Sequence, residues 1–219
     1  MKIDELNVTK NRSMPFEKFF GEMSLSDKQK KQRISFAEDF EDKLLEFLIL
    51  FTTALDYGQD DAFLRLQLQQ FYFDVVSTYL ATDKYVTDHV EEFSDNFIAT
   101  TKKHKDDPWY TSKDRAKFNA ENEANDILNY ADFQDAIANG MNAKEWVTMK
   151  DNRVRKTHKA VDGKIIPIGD TFEVGGYLMR FPMDDEYGAD DDEIVCCRCS
   201  LRYSYNPSYP KYTVNEETF

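Results

Sequence analysis

The hydrophobic period of this chain changes once, near Gly140, and that change limits the folds open to it. From Ile34 to about Asp56, Phe36, Phe40, Leu44, Phe47, Leu48 and Phe51 recur three or four residues apart. That spacing lines one face of an α-helix. "DYGQD" interrupts it. Gln59 to about Ala81 carries a second helix, with Phe63, Leu66, Phe71 and Val75 among its apolar residues. Thr82-Asp83 is placed to cap a third, which carries Val86, Val90, Phe93 and Phe97 and ends at Asp107-Pro108. A fourth helix spans about Ser112 to Asn139, with a hydroxyl cap at its start and Gly140 as its stop. Its polar surface is broad, and Phe118, Ile127, Leu128, Phe133 and Ile137 are its expected buried side.

Beyond Gly140 the helical spacing is lost. "KEWVTM", "IIPI", "TFEV" and "LMRF" are short β-prone runs separated by Gly-containing pairs, and "EIVCCRCSLRYSY" is a further strand candidate. Asp162-Gly163 has the composition of a tight hairpin turn. The expected fold class is therefore α+β, a helical N-terminal lobe followed by a small β-rich C-terminal domain. Residues 1–35 read as a polar arm, 36–110 as the helical lobe, and 111–219 as the C-terminal domain with its leading long helix.

Hydrophobic residues make up 41% of the 219 residues, enough to build a core. The net charge of -13 disfavours broad binding to a phosphate backbone and favours basic partners. "KQKKQR" and the stretch from Lys150 to Lys159 are the two positive concentrations. The N-terminus is polar and lacks the apolar segment of a secretory leader. The longest apolar run, Leu44 to Phe51, is far short of the ~20 residues of a membrane span. Three cysteines, all between Cys196 and Cys199, do not make a secreted disulfide framework. They read as reduced thiols, a metal pair or core residues.

The stretch "KDNRVRKTHKAVDGK", from Lys150 to Lys164, is the densest in chemistry. If Asp151 to His158 is helical, Asp151, Arg155 and His158 share a face. Alternatively, Asp151 caps the helix. His158 has the chemistry of a general base, a metal ligand or a buried hydrogen-bonding residue. In a strand, Cys197 and Cys199 would point to one side. Together with His158 and Asp151 they would complete a four-ligand zinc site. A Cys–His nucleophilic pair is the other chemistry these residues allow. Arg153 and Arg155 are suited to holding carboxylates by forked hydrogen bonds. The acidic run "DDEYGADDDE" lacks calcium-loop spacing and reads as a solvated loop. Phosphate-binding Gly-rich loops, Gly-x-Ser-x-Gly and His-Glu-x-x-His are absent.

Taken in order, "KEWVTMKDNRVRKTHKAVDGKIIPI", "FEVGGYLMRFPMD" and "CRCSLRY" resemble the minor head protein family of tailed bacteriophages, whose head morphogenesis domain also occurs in the F protein of phage Mu. The family pattern is a Trp before a short turn, Asp-x-x-Val-Arg-x-x-His, Asp-Gly, an aromatic–Gly–Pro segment and a closing Cys-Arg-Cys. It falls on Trp146, Asp151, Val154, Arg155, His158, Asp162, Gly163, Phe172, Pro182, Cys197, Arg198 and Cys199. The preceding helix is similar too, although the family's common Ala-Arg-Thr-Glu reads Ala120-Glu121-Asn122-Glu123 here. The Asn that often precedes Cys-Arg-Cys is Cys196, which sets the third cysteine outside the shared site. The resemblance covers about Arg115 to Tyr203.

It implies a virion protein of low copy number, located in the phage head and in host cytoplasm during assembly. The implied partners are portal and capsid proteins, with weak contact to packaged DNA and none to membrane. The implied role is head morphogenesis, portal association, and DNA packaging or delivery. Some relatives carry a toxin or transferase domain after the head domain; with the sequence ending at Phe219, none is expected here. The shared polar residues come with no established reaction, so they are expected to form a structural core. Zinc is the one cofactor considered for them. The alternative is a metal-dependent enzyme or effector using His158, Cys197 and Cys199.

Overall fold

The structure is a computed structural model that describes residues 14–57 and 60–212. The fold is α+β, helical first and sheet-containing last. The chain divides into two compact units. Among described residues, the first takes 14–16, 32–57 and 60–124, and the second 17–31 and 125–212. Residues 14–35, read from the sequence as the end of a polar arm, hold helix α1 (Phe16–Gly21) and the start of α2 (Asp27–Asp56). Phe16, Phe19, Phe20 and Met23 are buried there, so this segment is built into the core. Residues 1–13, the rest of that expected arm, lie outside the described residues.

The first unit is built from α2, α3 (Asp61–Val76), α4 (Lys84–Lys103) and the start of α5 (Lys113–Ala138). Helix α2 buries the expected stripe of Phe36, Phe40, Leu44, Phe47, Leu48 and Phe51. Phe40 meets Tyr72 of α3 at 4.4 Å and Phe93 of α4 at 5.5 Å between ring centroids, and Tyr72 meets Phe93 edge-on at 5.3 Å. Such pairs add ~0.5–1.5 kcal/mol each beyond their buried area. The inner face of α3 is Leu64, Leu68, Tyr72, Val75 and Val76, which leaves Leu66 exposed. Asp60 and Asp83 start α3 and α4 as side-chain caps, the latter accepting from Val86 N–H at 2.9 Å. Ser112 does the same for α5, its hydroxyl accepting from Arg115 N–H.

Helix α5 departs from its expected two-sided character. Every residue from Phe118 to Tyr130 is buried, including Asn119, Glu121, Asn122, Glu123, Asn125, Asp126 and Asn129. Ile137, expected in the buried side, is half-buried. Polar groups inside a protein require partners, and several are visible. Glu123 accepts from Tyr72 Oη at 2.6 Å and lies 2.8 Å from His89 Nε2. The Arg115 guanidinium donates to Thr101 Oγ1 and Tyr110 O, both at 2.6 Å, and stacks 3.8 Å from the Phe97 ring centre.

The second unit contains a three-stranded antiparallel sheet, ordered β2 (Ile165–Pro167), β1 (Ala143–Val147), β5 (Ser200–Ser204). Trp146 pairs with Leu201 in its register and is fully buried. β3 (Phe172–Val174) and β4 (Tyr177–Met179) form a separate hairpin. Gly175 and Gly176, with φ of 62° and 93°, make its two-residue turn, a geometry that needs positive φ at both positions. Short helices α6 (Lys156–Val161) and α7 (Asp191–Ile194) complete the unit. The expected strand "EIVCCRCSLRYSY" exists only from Ser200 onward; its first residues turn as α7, and Cys196 at φ 57° breaks extended backbone.

Candidate functional site

The site is framed by the end of β1. Gly163 N–H donates to Trp146 O at 2.8 Å, and Trp146 N–H donates to Lys164 O at 3.1 Å. Asp162 Oδ1 accepts from Thr148 N–H at 2.8 Å. Asp162-Gly163 is therefore not a hairpin turn between strands. It ends α6, with Gly163 in the left-handed region at φ 76°, and ties that helix to β1.

The octet Asp151–His158 is not one helix, because α6 begins only at Lys156. Asp151 instead closes a turn, its Oδ1 accepting from Arg153 N–H at 2.9 Å and Val154 N–H at 3.1 Å. Its Oδ2 accepts from Arg198 Nη2 at 2.7 Å. Burial pushes the Asp151 carboxyl up, but the hydrogen bonds from Arg198 and Arg153 outweigh it and hold the group below its ordinary value. Arg155 turns inward and donates to Val195 O. Arg153 lies 3.1 Å from Glu22, while Lys156 and Lys159 stay exposed. Three arginines of this segment and its neighbourhood thus spend their charge or hydrogen bonds within the unit.

His158 begins the chemical centre. It is buried, and Trp146 packs edge-on against it at 5.6 Å. Its Nδ1 lies 3.3 Å from Cys199 Sγ and 3.6 Å from Cys197 Sγ, both cysteines also buried. The three ligand atoms lie within 4.8 Å of one another. Cys199 N–H points at Cys197 Sγ at 3.5 Å, and Asn125 Nδ2 holds the Cys197 carbonyl at 2.8 Å. On the far side of the ring, His158 Nε2 lies 3.0 Å from Glu193 Oε2, which also accepts from Thr157 Oγ1 at 2.7 Å.

The two thiols are shifted in opposite directions. A hydrogen bond from Cys199 holds the Cys197 thiol well below its usual range, helped by the nearby His158 against the opposing effect of burial. The same bond, with burial, holds Cys199 well above it. Burial pulls His158 down, but the charge and hydrogen bond of Cys197 override it and raise the imidazole. The arrangement can hold a thiolate beside an imidazolium, or present two sulfurs and one nitrogen to a soft cation.

The structure brings His158, Cys197 and Cys199 together and leaves Asp151 out of that group. Asp151 is committed to Arg198, Arg153 and the turn, so the expected fourth ligand is not at this centre. The sulfurs converge from an irregular segment rather than from one side of a strand. Sequence reasoning missed Glu193, which it placed in a solvated acidic loop. Both ends of that loop are engaged: Glu193 with His158, and fully buried Asp184 with Arg180 through bonds of 2.9 and 2.8 Å. It also missed Lys144, fully buried in β1, whose Nζ donates to Arg180 O at 2.7 Å and lies 5.0 Å from the Phe133 ring centre. Its alternation with Trp146 along one strand face was the available signal.

Residues 88–202, just over half of the chain, match the family model described as Phage Mu protein F like protein. The match extends upstream of Arg115 into α4 and ends within β5. Nothing matches among curated proteins or solved structures. Among the described residues, no helix is long and apolar enough to cross a membrane.

Proposed function

Because this chain belongs to the phage Mu protein F like family, we propose that it acts as a minor head protein in head morphogenesis, associating with the portal and assisting DNA packaging or delivery. At the coarser level, it is a phage head-related protein. The observation that carries the finer reading is the family match across residues 88–202. Portal and capsid proteins are the proposed partners. The net charge of -13 suits basic surfaces on them. Ile49 and Leu66, left exposed in the first unit, are apolar positions a protein partner would cover. Packaged DNA is at most a weak contact, since Arg153, Arg155 and Arg198 are engaged internally.

The test is mass spectrometry of purified particles from the source phage, with pull-down of the portal by the tagged chain. The chain is expected in mature heads at low copy number, and the portal is expected in the pull-down. Particles that lack the chain throughout assembly would refute the role.

A further inference from the structure

We propose that His158 Nδ1, Cys197 Sγ and Cys199 Sγ form a binding site for a thiolate-seeking divalent metal, zinc being the best fit, with water in the fourth position and Glu193 orienting the histidine from behind.

The separations of the donor atoms suit a tetrahedral ion. Zinc bonds of about 2.3 Å to sulfur and about 2.0–2.1 Å to nitrogen place tetrahedral N and S ligands about 3.6 Å apart. The two N···S separations here are 3.3 and 3.6 Å. The donor set of two thiols and an imidazole selects zinc over hard cations such as magnesium. All three residues are buried.

The surroundings match what a ligating histidine requires. Such a histidine usually donates its other ring N–H to a carboxylate, which fixes the tautomer that leaves the ligating nitrogen bare. Glu193 Oε2, 3.0 Å from Nε2, is placed to accept that proton. Because it sits across the ring from Nδ1, Glu193 is a positioning residue and not a ligand. The sulfurs have donors of their own: Cys199 N–H reaches Cys197 Sγ. The indole N–H of buried Trp146 is a further donor toward Cys199 Sγ. A cavity of about 20 Å³, bordered by Arg155, His158, Cys196, Arg198 and Cys199, adjoins the site. A single water needs about 10–15 Å³, so the fourth ligand has room to enter.

This inference is independent of the head-protein reading, because it is measured on the isolated protein. Full-length chain, reduced and stripped by a chelator, is titrated with Co2+ and then with Zn2+. The expected result is one Co2+ per chain, with the strong visible bands of four-coordinate cobalt and a thiolate charge-transfer band in the near ultraviolet. Zn2+ displaces both. Cys197→Ser and Cys199→Ser each weaken that band, and the double variant abolishes it. Glu193→Gln keeps one metal per chain but lowers Zn2+ affinity by about 10–100-fold. Cys196→Ser leaves the spectrum unchanged. If a ligand variant does not fold, the charge-transfer band of the unsubstituted protein still decides the question. Cobalt binding without that band, a band that survives the double variant, or one lost in Cys196→Ser would overturn the assignment.

Discussion

Glu193 and His158 meet at 3.0 Å across the side of the imidazole that faces away from Cys197 and Cys199. The carboxylate that sets the ring comes from α7, 35 residues after the histidine. It is fixed in turn by Thr157 and by the turn of the β3–β4 hairpin, where a Cβ on Gly175 would collide with the Glu193 carboxylate.

Gly175→Ala should therefore disturb both stability and site. The residue has φ 62°, which an L side chain adopts at a cost of ~1–2 kcal/mol. The added methyl also displaces Glu193. Denaturant unfolding is expected to show a loss of about 1–3 kcal/mol. Burial still pulls His158 down while the carboxylate that helps raise it has moved, so its titration followed by NMR should shift to lower pH. An unchanged titration would show that Glu193 does not act on the ring.

Lys144 should make the second unit more stable as pH rises above neutrality. Burial lowers its pKa from 10.5 to about 7, against the raising effect of Asp184. Between those values the unfolded chain holds a proton that the folded chain lacks, so stability climbs with pH. Below about 7 both states are protonated and the cost of burying the charge is complete. The span corresponds to an upper bound on the order of 4–5 kcal/mol. Urea unfolding at a series of pH values should show the climb, and Lys144→Met should flatten it.

Asp184→Asn removes the counter-charge of Arg180 while keeping the side-chain shape. Asp184 is fully buried and receives Arg180 through its backbone N–H, Nε and Nη2. Glu186, 3.7 Å away and over half exposed, is a weak substitute. Breaking one side of such a pair costs ~3–5 kcal/mol. The midpoint of unfolding should fall accordingly, with no change in its denaturant slope.

Cys196→Asn is expected to hold or raise stability, read from the same unfolding curves. Cys196 has φ 57°, where Asn is tolerated far better than most residues. A large destabilisation would mean that the Cys196 side chain is needed for packing.

Much of the fold was legible from local rules. The stripe on α2 was readable because its phenylalanines and leucines follow the helical period, and Asp83, Ser112 and Gly140 marked helix ends by their own backbone chemistry. Helix α5 and the cysteine segment were not legible in this way. Helix α5 reads as partly solvated because its polar residues look like a wet face, yet Glu123 is buried with Tyr72 and His89 supplying its hydrogen bonds from far along the chain. Cys197 and Cys199 read as strand residues because their neighbours favour strand, and the left-handed Cys196 is invisible to propensity.

By itself, the sequence determined the α+β order, the helical cores and the resemblance to the family that residues 88–202 match, since periodicity, capping and residue order are local properties of the chain. Only the tertiary structure decided which of those residues meet. It set His158 against Cys197 and Cys199, turned Asp151 away to Arg198, and brought Glu193 out of an acidic loop to the back of the imidazole. Those pairings span 35 to 47 residues. At such separations the approach of side chains is set by how the sheet, hairpin and short helices pack, and no spacing rule encodes it.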